Sequence, residues 1–270
     1  MNYIEVIIPV TDTAKREQII AELSLEGYHG FEETPEYLKA YIGEADYSSA
    51  QLQLDMSSLG LDWSVSVIPE QNWNQLWESN FEPVTVEAFA GVRASFHAPL
   101  ENVEHEIIIT PKMSFGTGHH ATTWMMMRQM KDIDFRGKSV FDFGTGTGIL
   151  AILAEKLGAS EVLAMDHDDW CIANATENIE INGCSAITLM KGDTADVMKP
   201  FDIILANINR NIIEANLQYL AKNLVNNGQL LLSGLLESDE AAIRELLLKY
   251  RLKHISTSAR SGWIAIRCSR

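Results

Sequence analysis

A glycine-rich loop between an apolar strand and an apolar helix constrains this chain more than any other feature of its sequence. Residues 140–148 read VFDFGTGTG and continue directly into ILAILAEKL. Glycines at every second position favour a tight turn, because glycine adopts positive φ and leaves the backbone open to a ligand. Open α/β sheets bind their ligands at such turns, at the carboxyl edge of the strands. The loop therefore predicts a ligand site in an α/β domain.

The pattern of apolar segments predicts the sheet that carries this loop. From about Ala121 onward, predicted helices and strands alternate, and the chain ends in a predicted hairpin over residues 252–257 and 263–267. Such alternation is typical of a parallel sheet with helices on both faces. We therefore expect a doubly wound α/β sheet closed by an antiparallel edge.

The front of the chain predicts a second, smaller domain. Residues 1–68 follow a β-α-β-β-α-β order, which is typical of a ferredoxin-like α+β domain. Residues 1–70 hold 13 acidic and three basic residues, so they carry −10 of the total formal charge of −16. This charge favours a basic partner and disfavours nucleic acid, although acidic surface also serves solubility alone. We expect the front domain over residues 1–68, a linker with connecting strands over 69–105 and the α/β domain over 106–270.

Two carboxylates indicate which cofactor the loop binds. The spacing GxGxG at Gly144 and Gly146 serves a dinucleotide or S-adenosylmethionine equally well. Asp142 would repel a pyrophosphate but suits the ammonium group of S-adenosylmethionine. Asp166 ends the next predicted strand, where a carboxylate accepts hydrogen bonds from ribose hydroxyls. A buried carboxylate bonded to the loop is the alternative for Asp142, and a helix cap is the alternative for Asp166.

Three further positions complete the predicted site. Asp193 follows the third strand, where a loop meets the adenine edge of a cofactor or forms an ordinary turn. Phe115 lies in a Gly/Thr/His-rich segment that opens a helix, and it packs on the cofactor or fills the core. Asn207 ends the fourth strand, where its amide oxygen can orient an amine nucleophile toward the methyl group. A helix cap is the alternative for Asn207.

Several segments in this order resemble the family of methyltransferases that modify large-subunit ribosomal protein eleven (L11). They are FGTGHHATT at 115–123, DFGTGTGILAILAEKLGA at 142–159, Asp166, and ILANI at 204–208. The resemblance implies a class I methyltransferase domain that transfers methyl groups from S-adenosylmethionine to amines of that basic ribosomal protein, on lysine side chains, the N-terminus or both. It implies that the front domain recognises the substrate. It also implies cofactor contacts at Thr123, Gly144, Asp166 and Asn207, with Phe115 and Gly116 in the same pocket.

Other classes of protein remain open from the residues alone. A methyltransferase acting on RNA is disfavoured by the net charge, and one acting on a small molecule by the separate front domain. A nicotinamide dehydrogenase is disfavoured by Asp142 and by the GxGxG spacing. A module that binds S-adenosylmethionine without catalysis is the alternative outside the enzymes.

The composition also bears on metals and on location. Cys171, Cys184 and Cys268 are far apart in sequence, and the adjacent His119 and His120 have no carboxylate at ligand spacing, so we expect neither a disulfide framework nor a metal site. The sequence has no apolar run of membrane-spanning length and no leader-like start. We therefore expect a cytoplasmic protein without a membrane partner.

Overall fold

The computed structural model describes residues 2–28, 30–68, 82–110 and 118–270. The chain divides into two compact units, Met1–Asn80 and Phe81–Arg270. The connecting strands that we expected within residues 69–105 therefore belong to the second unit. Of the predicted linker, residues 69–81 lie outside the described part of the chain.

The first unit has the element order expected from the sequence. Its elements are β1 (Tyr3–Pro9), α1 (Thr13–Leu25), β2 (Gly30–Glu33), β3 (Tyr37–Gly43), α2 (Ser49–Leu59) and β4 (Ser64–Ile68). The strands pair antiparallel in the order β2-β3-β1-β4. Alternate residues of β1, Ile4, Val6 and Ile8, join Ile19 and Leu23 of α1 in the core. The period of two in β1 thus gives the sheet one apolar face, which the helices cover.

The second unit contains two sheets. Its elements are β5 (Val84–Val86), β6 (Ala90–Ala94), β7 (His105–Ile109), α3 (Ala121–Met130), β8 (Ser139–Phe143), α4 (Ile149–Lys156), β9 (Glu161–Asp166), α5 (Asp169–Ile181), β10 (Ile187–Lys191), β11 (Phe201–Asn207), α6 (Arg210–Asn223), β12 (Leu224–Leu236), a 3-10 turn (Glu237–Asp239), α7 (Glu240–Lys249), β13 (Lys253–Arg260) and β14 (Trp263–Ser269). Strands β5, β6 and β7 form a small sheet in that order.

The main sheet has the order β10-β9-β8-β11-β12-β14-β13. The first five strands are parallel, while β14 runs antiparallel to both of its neighbours. The predicted doubly wound sheet with an antiparallel edge is therefore confirmed. Because the strands are parallel, β8, β9, β10 and β11 all end at one edge, and the loops that follow them meet there.

Side chains that alternate along the strands of the main sheet pack into two separate cores, one on each face. On one face Val140 and Leu205 pack with apolar residues of α3, α4 and α5. On the other face Phe141 and Ile204 pack with apolar residues of α6 and α7. Near-continuous apolar strands such as β11 are explained by this burial on both faces. Among the described residues, no helix is long and apolar enough to cross a membrane.

Two asparagines of the α5 segment join the small sheet to the helix layer. The Asn182 side chain accepts a hydrogen bond from the Ile108 amide at 3.0 Å and donates one to the Ile108 carbonyl at 2.6 Å. The Asn178 side chain accepts a hydrogen bond from the Thr110 amide at 2.8 Å. These contacts satisfy edge groups of β7 that would otherwise lack a strand partner.

The last residue of the chain closes the carboxyl end of α6. Nη1 of Arg270 donates to the carbonyls of Ala221, Lys222 and Leu224 at 3.0, 3.1 and 2.7 Å. The final carbonyls of a helix have no partners within the helix, and the negative end of the helix dipole also attracts a cation near them.

We predict that Arg270→Ala lowers the free energy of unfolding by about 1–3 kcal/mol, because it removes charge-assisted hydrogen bonds to helix-end carbonyls. Thermal unfolding of the full chain measures the change. Arg136→Ala is the control, since the Arg136 side chain is 81% exposed and pairs locally with Asp134; its expected effect is within about 0.5 kcal/mol. Equal melting temperatures for the Arg270 variant and the wild type would refute this role.

Candidate active site

The glycine loop lies between β8 and α4 at the carboxyl edge of the main sheet. Its glycines have φ values of 79° at Gly144, 56° at Gly146 and 81° at Gly148. These values are in the left-handed region, where a side chain would strain the turn. The carbonyl of Met165 in β9 accepts hydrogen bonds from the amides of Gly144 and Thr145, both at 2.9 Å. The loop is thus a tight turn fixed to the neighbouring strand.

Ile208, which follows β11, packs between two glycines. A Cβ atom on Gly144 would collide with Cγ2 of Ile208, and one on Gly234 would collide with the Ile208 carbonyl oxygen. Gly234 has φ of 83° and lies where the pairing of β12 with β14 shifts register. Gly234 was not among the residues predicted from the sequence. Its position inside the apolar run LLLSGLL was the available signal, because a glycine within a strand indicates a bulge or a close backbone approach.

Asp142 is buried inside the loop. The residue is 1% exposed, and its Oδ2 accepts a hydrogen bond from the Thr145 hydroxyl at 2.6 Å. This differs from our expectation of a carboxylate facing the ammonium group of the cofactor, and it favours the alternative of a carboxylate bonded to the loop. Burial raises the pKa of Asp142 to about 7, the Asp166 carboxylate adds to the rise, and the hydrogen bond from Thr145 opposes it.

The Asp166 carboxylate lies at the end of β9, next to the loop. Its Oδ2 accepts a hydrogen bond from the Gly146 amide at 2.9 Å, and its Oδ1 accepts one from the Asp168 amide at 3.1 Å. His167 places Nδ1 3.3 Å from the same Oδ1. An ionised carboxylate has about four acceptor sites, so these contacts are compatible with further bonds from a ribose. Asp166 therefore also connects the loop to the start of α5.

Asp193 lies at the same edge of the sheet. It is exposed on the segment that follows β10. The amide of the preceding residue, Gly192, donates to the Asp166 backbone carbonyl at 2.9 Å. A Cβ atom on Gly192 would lie 2.9 Å from the Met165 sulfur, so a side chain here would displace the Met165 side chain. The structure thus brings the Asp193 turn beside Asp166.

Asn207 and Thr123 meet although 84 positions separate them in the sequence. The Asn207 Nδ2 donates to the Thr123 hydroxyl at 3.3 Å. Thr123 is 2% exposed in the first turn of α3, so its position is set by the core. The Asn207 Oδ1 is buried and has no hydrogen-bond partner in the described part of the chain. Because a buried polar atom without a partner is costly, this oxygen is a candidate acceptor for a ligand hydrogen.

The segment before α3 is described only in part. Phe115 and Gly116, which we expected in the cofactor pocket, lie outside the described residues. His120 is the N-cap of α3, and its Nδ1 lies 2.7 Å from the Thr122 hydroxyl. His119 places Nε2 2.8 Å from the Glu82 carbonyl. Both histidines thus fix the start of α3 to nearby backbone and side chains.

Two buried asparagines of α5 lie next to the glycine loop and stabilise it. Neither was predicted from the sequence. The Asn178 Nδ2 donates to the Thr147 carbonyl at 2.8 Å and to the Asn174 side-chain oxygen at 3.3 Å. Both asparagines are fully buried. Asparagines four residues apart on an apolar helix face were the available signal, because buried amides need defined partners.

These residues fit S-adenosylmethionine. The loop from Gly144 to Gly146 has positive φ and no side chain at either glycine, so its backbone could contact a ligand. The Asp166 carboxylate could accept hydrogen bonds from a ribose, and the Asn207 Oδ1, which has no partner among the described residues, could accept a hydrogen from a ligand.

We predict that Asp142→Asn changes how stability depends on pH. The folded pKa lies above the unfolded value near 3.8, so the folded state binds the extra proton between about pH 4 and 7 and wild-type stability falls as pH rises through this window. The slope contributed by this group is at most about 1.4 kcal/mol per pH unit. Thermal unfolding is measured at pH 5 and pH 8 for both proteins. The stability of the variant minus that of the wild type should be greater at pH 8 than at pH 5.

The matched control is Asp202→Asn. Backbone and side-chain hydrogen bonds from Ser139, together with Lys138, lower the pKa of Asp202, so this group stays ionised from pH 5 to 8. Its difference from wild type should therefore be the same at both pH values. A constant difference for the Asp142 variant as well would contradict the prediction.

Known proteins are similar to this chain over the whole second unit and most of the first unit. The family model for ribosomal protein L11 methyltransferase (PrmA) matches residues 5–270. A ribosomal protein L11 methyltransferase of Porphyromonas gingivalis is 42% identical over 255 residues, covering 92% of this chain and 88% of the relative. One from Bacteroides fragilis is 33% identical over 267 residues, covering 96% and 95% of the two chains.

A solved structure is similar as well. The crystal structure of a ribosomal protein L11 methylase from Lactobacillus delbrueckii subsp. bulgaricus matches with a TM-score of 0.66 and 30% identity. It covers 70% of this chain and 99% of the other. With a family match over nearly its entire length, this chain belongs to the ribosomal protein L11 methyltransferase family.

Proposed function

We infer that the protein transfers methyl groups from S-adenosylmethionine to ribosomal protein L11. Family membership over residues 5–270 supports this activity. The observation in the structure that carries it is the buried Oδ1 of Asn207, which has no hydrogen-bond partner among the described residues. The Nδ2 of the same side chain donates to the Thr123 hydroxyl, at the edge where the glycine loop lies. The chain thus combines a cofactor cradle with an acceptor for a hydrogen of the incoming substrate.

We propose that the cofactor binds along the loop. Gly144 and Gly146 would contact it through their backbone, Asp166 would accept the ribose hydroxyls, and Asp193 would lie near the adenine. Thr123 and Asn207 would face the methionine end. The contacts expected for Phe115 and Gly116 stay predictions. S-adenosylmethionine supplies a methyl group already activated by its sulfonium, so the protein mainly has to align the acceptor and exclude water.

We propose that the acceptors are amines, on lysine side chains, the N-terminus or both. A neutral amine attacks with its lone pair, whereas a lysine has an unperturbed pKa of about 10.4 and must first lose a proton. Transfer of the lysine amine from water into the acceptor site favours its neutral form. The Asn207 oxygen would accept one amine hydrogen and thereby direct the lone pair. Its orientation depends on Thr123, because the Nδ2 group is held by that hydroxyl.

We propose that the first unit is a ferredoxin-like domain that captures the substrate. Its element order and the strand order β2-β3-β1-β4 support the fold. The 13 acidic residues against three basic ones in residues 1–70 support a basic partner, because complementary charge accelerates encounter.

Asn207→Ala should lower kcat roughly 10- to 100-fold, because a lost hydrogen bond of this kind costs about 1.5–3 kcal/mol. The measurement is transfer of labelled methyl groups to purified L11, together with the dissociation constant of the cofactor. Asn226→Ala is the control, since Asn226 is exposed and lies near the amino end of β12, away from the edge where Asn207 ends β11. Full transfer by the Asn207 variant with unchanged cofactor binding would show that this residue does not orient the acceptor.

Raising the salt concentration from about 50 to 500 mM should lower kcat/KM for L11, because exposed charges are screened beyond the Debye length. A triple substitution to glutamine tests the front unit at three exposed carboxylates, Glu17, Glu26 and Glu36. Its matched control neutralises three exposed carboxylates of the second unit, Glu101, Glu180 and Glu245. We expect a weaker salt dependence only in the first variant, and equal slopes in the two variants would argue against capture by the front unit.

A further inference from the structure

An aromatic pair lies beside the proposed acceptor site. The rings of His120 and Trp263 are in edge contact, with centroids 4.7 Å apart and planes at 72°. His120 is the N-cap of α3 and precedes Thr123 by one turn. Residues at this spacing on a helix are about 5–6 Å apart at Cβ. Since Thr123 holds Asn207, the aromatic pair borders the same end of the sheet.

Strand pairing also places Trp263 at this edge. Ser233 in β12 pairs with Asn207 on one side and with Ala265 on the other. Trp263, two residues before Ala265, pairs with Leu236 beyond Ser233. Because β12 runs parallel to β11, this direction leads to the carboxyl edge, where Asn207 ends its strand. The contact with His120 sets the indole on the α3 face, which is also the face where Asn207 meets Thr123.

The hairpin that carries Trp263 is fixed to α3. The Arg260 guanidinium lies 4.0 Å from the centre of the Trp124 ring, and the Trp124 indole donates to the Thr85 carbonyl at 3.0 Å. Further along α3, the Gln129 Nε2 donates to the Ser258 hydroxyl at 2.9 Å and to the Ala265 carbonyl at 3.0 Å. Contacts on both sides thus hold the half-buried Trp263 in a defined position.

We propose that Trp263 forms an aromatic wall of the acceptor site and selects alkylammonium groups, including amines that already carry a methyl group. The inference rests on the proposed amine acceptor. The face of an indole attracts a cation, and the attraction is greater when the cation is poorly hydrated. Each added methyl group enlarges the ammonium and removes an N–H that water or Asn207 would bind. A partly methylated amine therefore depends more on Trp263 than an unmethylated one does.

An aromatic wall at this place affects successive methyl transfers to one amine. In each transfer an N–C bond forms as the bond from the methyl carbon to sulfur breaks, leaving S-adenosylhomocysteine and an alkylammonium. That product must lose a proton to water before the next attack. An aromatic wall keeps the methylated nitrogen near Asn207 between these steps. Trp263 thus acts mainly on the later transfers.

The test follows the methylation state of purified, unmethylated L11 by mass spectrometry over time. We expect Trp263→Leu to slow the second and third additions relative to the first by about 2- to 30-fold, so that monomethylated product accumulates. Trp263→Phe retains an aromatic face and should restore most of the later additions. Trp263→Met is a second non-aromatic variant, which fills space flexibly where Leu disturbs packing.

Phe96→Leu is the matched control, because Phe96 makes a similar edge contact with His97, at 4.6 Å and 72°, in the segment after β6. It should leave the ratio of successive additions unchanged. Cofactor binding and melting temperature are measured for every variant. Unchanged ratios in both non-aromatic variants, or equal losses at all steps in all three Trp263 variants, would overturn the proposal. Absence of any transfer by the wild type would instead reject the proposed function.

Discussion

The hydrogen bonds between the end of β9 and the glycine loop are the interaction on which the site depends. The Met165 carbonyl holds the amides of Gly144 and Thr145, and the Asp166 carboxylate holds the amide of Gly146. They fix a turn that glycine alone would leave free, because glycine has the largest backbone entropy to lose. The parallel pairing of β8 with β9 brings these groups together. Sheet register therefore decides the shape of the glycine loop.

The proposed acceptor site combines more distant parts of the chain. Asn207 ends β11, Thr123 begins α3, and Trp263 begins the last strand. Gly144 leaves room for the Ile208 side chain and Gly234 leaves room for the Ile208 backbone, so Ile208 fits between the loop and β12. This packing places the preceding Asn207 beside the loop. Close backbone packing thus positions the polar group that would orient the amine. In this arrangement, small residues set distances and buried polar groups set directions.

Two expectations from the sequence differ from the structure for identifiable reasons. Asp142 was expected at the mouth of the loop, but a strand residue faces either core or ligand, and the pattern VFDF does not distinguish them. The Thr145 hydroxyl and burial decide its environment. The short strands over 84–94 were assigned to a connector over residues 69–105. Their place in the second unit depends on β6 pairing in parallel with β7 and on long-range bonds from Asn178 and Asn182.

The sequence by itself determined the main sheet, its glycine loop and the family, because hydrophobic period, glycine spacing and motif order are local properties of the chain. It also identified Asp166 and Asn207 as polar residues at strand ends. Only the tertiary structure decided that Asn207 meets Thr123, that Gly234 admits Ile208 and that Trp263 lies beside His120. These contacts join residues far apart in sequence, and their distances follow from strand order and register rather than from any local pattern.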